Sequence, residues 1–175
     1  MSSWCLVPTT RRTIEVHWGN NRWVIVLAVL VALLLAIYPL PLDWRWWRPE
    51  FVLLVTIYWV LMLPEHSSLT LFWCLGLVQD LVEGTALGQH ALGLVIVAYI
   101  CVQSYQRVRN YALWQQACWV FVLVGISQLT ANWVYTMAGG RAPGLYFLYP
   151  ALTSALLWPL WYWVFERLRH RYAVT

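Results

Sequence analysis

The stretch Leu69 to Leu92 reads LTLFWCLGLVQDLVEGTALGQHAL, an apolar run in which Gly76, Asp80, Gly84 and Gly88 recur every four residues with Glu83 beside the third. On an α-helix, positions four apart differ by about 40° in direction, so Gly76, Asp80 and Gly84 fall on one slowly slanting stripe. Glycines on such a stripe reduce a helix to backbone and let another helix approach closely. A carboxylate in hydrocarbon is costly unless paired or hydrated. Asp80 is therefore expected to fix the register of this helix against a neighbour, either as a cap near the loop Glu83 to His90 or through polar groups on another helix. Glu83-Gly84 also suits a helix end, because glycine accepts the left-handed cap conformation.

The rest of the chain has the same solvent. Of 175 residues 62% are hydrophobic and 10% charged, against about 25% charged in an average soluble domain. That composition points to an all-α integral membrane protein. Fourteen Trp and ten Tyr suit the boundary between lipid and water, and Trp44, Trp46, Trp47 and Trp158, Trp161, Trp163 read as belt residues. The net charge of +4 comes from eleven arginines and no lysine, set mostly between apolar runs, so nucleic acid is not an expected partner. Arg11, Arg12, Arg22 and Arg167, Arg169, Arg171 are expected to face anionic headgroups. Cys5, Cys74, Cys101 and Cys118 lack ligand spacing, so neither a disulfide nor a metal or other cofactor is expected.

Residues 1–21 form a polar tail, expected on the cytoplasmic side with little order, and 22–175 form one transmembrane bundle. The spans predicted are Trp23 to Leu40, a short one from Pro49 to Pro64, Ser67 to about Val82, Ala91 to Gln103, Leu113 to Met137, and Leu145 to Phe165 with bends at Pro150 and Pro159. About six spans put both termini on one side. With that side cytoplasmic it holds Arg11, Arg12, Arg22, Arg107, Arg109, Arg167, Arg169 and Arg171, while the other holds Arg45, Arg48 and Arg141, as the positive-inside tendency requires. A re-entrant pair at the second and third helices would give four full crossings with the same sidedness.

Gln128, Asn132 and Thr136 recur every four residues in the fifth run and are the expected polar mates of Asp80. On that basis Asp80→Asn, which keeps an acceptor, is expected to be milder than Asp80→Ala. Arg48 and Glu50 beside Pro49 are interfacial candidates, and Arg107 with Arg109 are candidates for a cytoplasmic contact. Catalysis is not expected. Asp80 is the sole aspartate in the apolar runs, and the serines available as nucleophiles, Ser127 and Ser154, face histidines His66 and His90 placed in loops on opposite sides. A substrate-binding transporter component is the competing possibility, since an intramembrane carboxylate in a small bundle fits it too.

Further motifs are Arg48-Pro49 leading into the run that ends at Pro64, Arg109-Asn110 followed by Ala112-Leu-Trp-Gln-Gln-Ala117, and Leu157-Trp-Pro159 before a basic end. With the glycine and aspartate pattern, in this order from about Arg22 to Val174, they make the chain resemble the rod shape-determining MreD family. The resemblance implies a non-catalytic bacterial inner-membrane subunit of the machinery for lateral peptidoglycan synthesis. Its implied partners are MreC directly, MreB, RodA and a penicillin-binding transpeptidase in the wider complex, membrane lipids, and a second copy as a homodimer. It also implies a helix arrangement similar to the substrate-binding components of vitamin importers, and the glycine stripe with Asp80 as the shaping residues.

Overall fold

The computed structural model describes residues 22–37, 47–64, 68–140 and 148–172, and these form six α-helices. They are α1 (Arg22–Ile37), α2 (Phe51–Met62), α3 (Leu69–Glu83), α4 (Gln89–Val108), α5 (Leu113–Met137) and α6 (Tyr149–Tyr172). The tail 1–21 with Arg11 and Arg12, and also Trp44, Arg45, Trp46, His66 and Arg141, lie outside the described residues.

α2 is the centre. Its twelve residues, FVLLVTIYWVLM, are apolar on every side except at Thr56, and Val52 through Leu61 are all buried. A helix apolar all round has to be enclosed, and α1, α4 and α6 enclose this one. Twelve residues reach about 18 Å, short of the roughly 30 Å hydrocarbon core, so α2 depends on its neighbours. α3 lies chiefly on α4, which also packs on α2. α4 continues into α5, and α5 into α6, as successive packed neighbours.

Glycines set two of the closest approaches. A Cβ added to Gly76 would stand 2.2 Å from the Ala91 Cα, and one added to Gly93 would stand 2.4 Å from Ser127 Oγ. α3 thus seats directly on the backbone of α4. The α4–α5 crossing uses a second small-residue set, Gly93 against Ser127, with Ala131 also buried one turn on, the small-xxx-small pattern of membrane helices.

Two helices run past their sequence-predicted ends. α4 reaches Val108 because Gln103 to Gln106 present no helix breaker, and the Ser104 hydroxyl donates to the Ile100 carbonyl at 2.6 Å. α6 reaches Tyr172, its last turns held by Glu166 paired with Arg169 at 2.6 Å and His170 at 3.1 Å. Pro150 stands in the first turn of α6, where its missing N–H costs nothing, while Pro159 lies inside the helix.

The Ala112-Leu-Trp-Gln-Gln-Ala117 segment explains itself in the structure. Gln115 Oε1 accepts from the Ala112 N–H at 3.2 Å, closing the first turn of α5. Gln116 is buried and joins three elements: its amide donates to the Val108 carbonyl at 3.3 Å and to the Tyr111 carbonyl at 3.2 Å, and its oxygen accepts from the Trp158 indole at 3.3 Å. Trp158 is accordingly fully buried and is no belt residue; its N–H finds a partner inside the bundle, whereas Trp47 and Trp163 are exposed. Replacing Gln116 by leucine leaves the buried Trp158 indole N–H and the Tyr111 carbonyl without this partner, while the Val108 carbonyl keeps the Tyr111 N–H at 3.1 Å. A loss of about 2–3 kcal/mol is expected, read as a lower thermal midpoint in mild detergent.

Candidate functional site

One cluster of polar side chains, Asp80 and Glu83 of α3, His90 of α4, Gln128 of α5 and Ser154 of α6, gathers with Glu50 at the end of the bundle where α2 begins. Asp80, in the last turn of α3, is fully buried. Its Oδ2 accepts from the Gly88 N–H at 2.8 Å, and its Oδ1 accepts from the His90 N–H at 2.8 Å, from the Thr85 hydroxyl at 3.1 Å and from His90 Nδ1 at 2.8 Å. Gly88 is the N-cap residue of α4 and has no side chain to cap with. Asp80 supplies the missing carboxylate from the neighbouring helix, where the positive end of the α4 dipole favours it.

The four-residue pattern therefore resolves into three jobs rather than one stripe. Gly76 makes the close crossing on Ala91. Gly84 (φ 66°) and Gly88 (φ 96°) lie beyond the end of α3 in the left-handed conformation, which removes them from its helical face. Gly84 caps α3, with the Thr85 N–H reaching back to the Asp80 carbonyl at 3.0 Å.

The predicted mates of Asp80 are elsewhere, because α4 stands between α3 and α5 in the packing order. Gln128 donates to Glu50 Oε1 at 2.7 Å, Thr136 donates to the Trp133 carbonyl of its own helix at 2.8 Å, and Asn132 is half-buried on α5. The mildness expected of Asp80→Asn also falls away. Both carboxylate oxygens accept, so one side of an amide would set its NH2 against a backbone N–H.

Glu50 precedes α2, and its backbone N–H donates to Ser154 Oγ at 3.0 Å, so α2, α5 and α6 are joined at one residue. His90 lies 3.8 Å from Glu83, which also accepts from Gln79 at 2.9 Å.

At the opposite end of α2, Tyr58 donates to Glu166 Oε2 at 3.1 Å, and Arg169 pairs with Glu166 and touches Met62 Sδ at 3.2 Å. Arg169 is thus turned into the bundle rather than toward headgroups. Sequence reasoning passed over this set, although Glu166 three and four residues before Arg169 and His170 is a helical ion-pair signature. Arg48 donates to the Leu35 carbonyl at 2.9 Å, tying the last turn of α1 to the start of α2. Arg107 and Arg109 are exposed. Ser127 packs on Gly93 and Ser154 serves Glu50, and no group of three His, Cys, Asp or Glu among the described residues could hold a metal ion.

Outside these contacts the surface is apolar. Leu27, Leu34, Leu71, Leu81, Trp114, Leu129, Trp133, Leu156 and Leu160 are all more than half exposed, and α4 and α5 are long and apolar enough to cross a bilayer. A helical bundle that hides its carboxylates in internal bonds and shows leucine and tryptophan outward is a membrane protein. Residues 19–170 match the family described as rod shape-determining protein MreD. A relative from Haemophilus influenzae, named rod shape-determining protein MreD, is 34% identical over 149 residues, covering 85% of this chain and 90% of its own. The chain belongs to the MreD family, and its role lies in rod shape determination. No solved structure matches it.

Proposed function

We propose that this chain is a non-catalytic, multi-pass scaffold of the inner membrane, which binds MreC and through it joins MreB, RodA and a penicillin-binding transpeptidase in lateral wall synthesis. One observation carries the reading. α2 fills the centre with ten consecutive buried residues, and Asp80, Glu50, Glu166 and Gln116 are occupied by bonds between helices. The polar groups hold the bundle together, and the large apolar exterior is left for a partner span or a second copy. A substrate-binding transporter would need room where the α2 side chains lie.

The bundle crosses the membrane six times with both termini inside, which agrees with eight arginines on the cytoplasmic side and three outside. Ser68 and Leu87 are exposed at opposite ends of α3. In a variant without native cysteines, S68C is expected to react with an impermeant thiol reagent only from the cytoplasmic side and L87C only from the periplasmic side. Labelling of both from one side would contradict six spans.

Arg107 and Arg109 face the cytoplasm in this arrangement and meet the filament side of the complex. The variant R107E/R109E is expected to retain MreC and lose MreB on co-purification from membranes, with rounding of the cells. Unchanged recovery of MreB and unchanged shape would dismiss that contact.

A further inference from the structure

Trp163, Val164, Arg167, Leu168, His170 and Arg171 line an open cleft of about 600 Å³ along the last turns of α6. The arginines in these turns are not equivalent. Arg169 is committed to Glu166 and Met62, and His170 shares the same Glu166 oxygen. Arg167 and Arg171 are exposed and have no acidic partner among the described residues. Four residues apart, they lie on one face of the helix. The Arg167 guanidinium stands 4.3 Å over the Trp163 ring, a contact that orients the group while its N–H donors remain available for an anion.

The cleft also has a direction. Leu152, Leu156, Leu160 and Trp163 are exposed along α6 before the arginines begin, so it stands where an apolar face gives way to cationic residues. A ligand matching that gradient is an amphiphile with a negative head and an apolar stem. We propose that the cleft is a binding site for an anionic phospholipid, its phosphate held between Arg167 and Arg171 and its glycerol and upper acyl carbons against Trp163, Val164 and Leu168. The site rests on the membrane placement of the bundle and not on MreC.

The test uses the full-length protein in mild detergent, titrated with phosphatidylglycerol or phosphatidylcholine and read by native mass spectrometry for bound lipid. Phosphatidylglycerol is expected to bind in preference. R167Q/R171Q is expected to weaken it about 30-fold, from two arginine contributions of the usual size at an anionic surface. R171Q alone, which removes a side chain with no bond to another of the described residues, is expected to give part of that loss without lowering the lipid-free thermal midpoint. R107Q/R109Q removes as many charges elsewhere and is expected to bind as wild type. Equal binding of the two lipids, undiminished binding by R167Q/R171Q, or an equal loss in R107Q/R109Q would each overturn the site, the last by showing diffuse attraction. MreC is absent from the measurement, so its result is independent of the scaffold proposal.

Discussion

Replacing Asp80 by alanine is expected to lower the stability of the bundle by about 3–5 kcal/mol, the usual result of removing one member of a buried, hydrogen-bonded charged pair. Four donors converge on this carboxylate, two of them the N–H groups that open α4. Without it the Gly88 and His90 N–H groups and the His90 ring lose their acceptor, and the turn from Gly84 to Gln89 loses its anchor. Asp80→Asn is expected to approach the same loss, because an amide satisfies one oxygen site and opposes the other. Thermal melts in mild detergent, with limited proteolysis of the α3–α4 turn, read both variants. A normal midpoint in either, accompanied by complete loss of rod shape, would mean that the carboxylate acts by protonation rather than as a cap.

Gly76→Leu is expected to be comparably damaging. Even the first carbon of a side chain would stand 2.2 Å from the Ala91 Cα and 2.7 Å from its N, and both obstacles are backbone. No rotamer change relieves them, so α3 must lift from α4. Gly76→Ala is expected to cost about 3 kcal/mol, the upper part of the range for overpacked sites, and the leucine more. Only Gly76, Gln79 and Asp80 are buried along α3, with Phe72 and Leu75 half-buried against the core, so the crossing at Gly76 is central to its seating. At Gly84 and Gly88 nothing stands within 4 Å of an added Cβ. Alanine there is expected to cost about 1–2 kcal/mol through the left-handed backbone alone, and asparagine less. A midpoint for Gly76→Ala no lower than for Gly84→Ala would show that the α3–α4 crossing has room for a side chain at Gly76.

The sequence made these residues visible for a sound reason and misassigned some of their partners for another. A buried carboxylate between glycines must be compensated, which singles out Asp80 whatever the fold. Which groups compensate it depends on helix order around α2. With α4 between α3 and α5, Gln128 meets Glu50 instead. The four-residue spacing also hides a change of backbone: helix at Gly76, left-handed turns at Gly84 and Gly88. Periodicity carries no information about where a helix stops unless a cap is recognised, and Gly84 was recognisable as one. Gln116 and Trp158 carried no such signal, since a glutamine in an apolar run shows a need for partners without naming them. Glu166 was legible from its spacing to Arg169 and His170, and was masked by the arginines around it.

The scaffold account rests on what stays attached to the bundle in its own membranes. Affinity purification of the tagged protein in mild detergent, followed by size exclusion and mass spectrometry, is expected to return MreC in stoichiometric amount with the wall-synthesis enzymes behind it, and to lose MreC in Asp80→Ala. Recovery instead of an ATPase pair, a coupling subunit and a bound small molecule would contradict the scaffold and make the chain a transporter component.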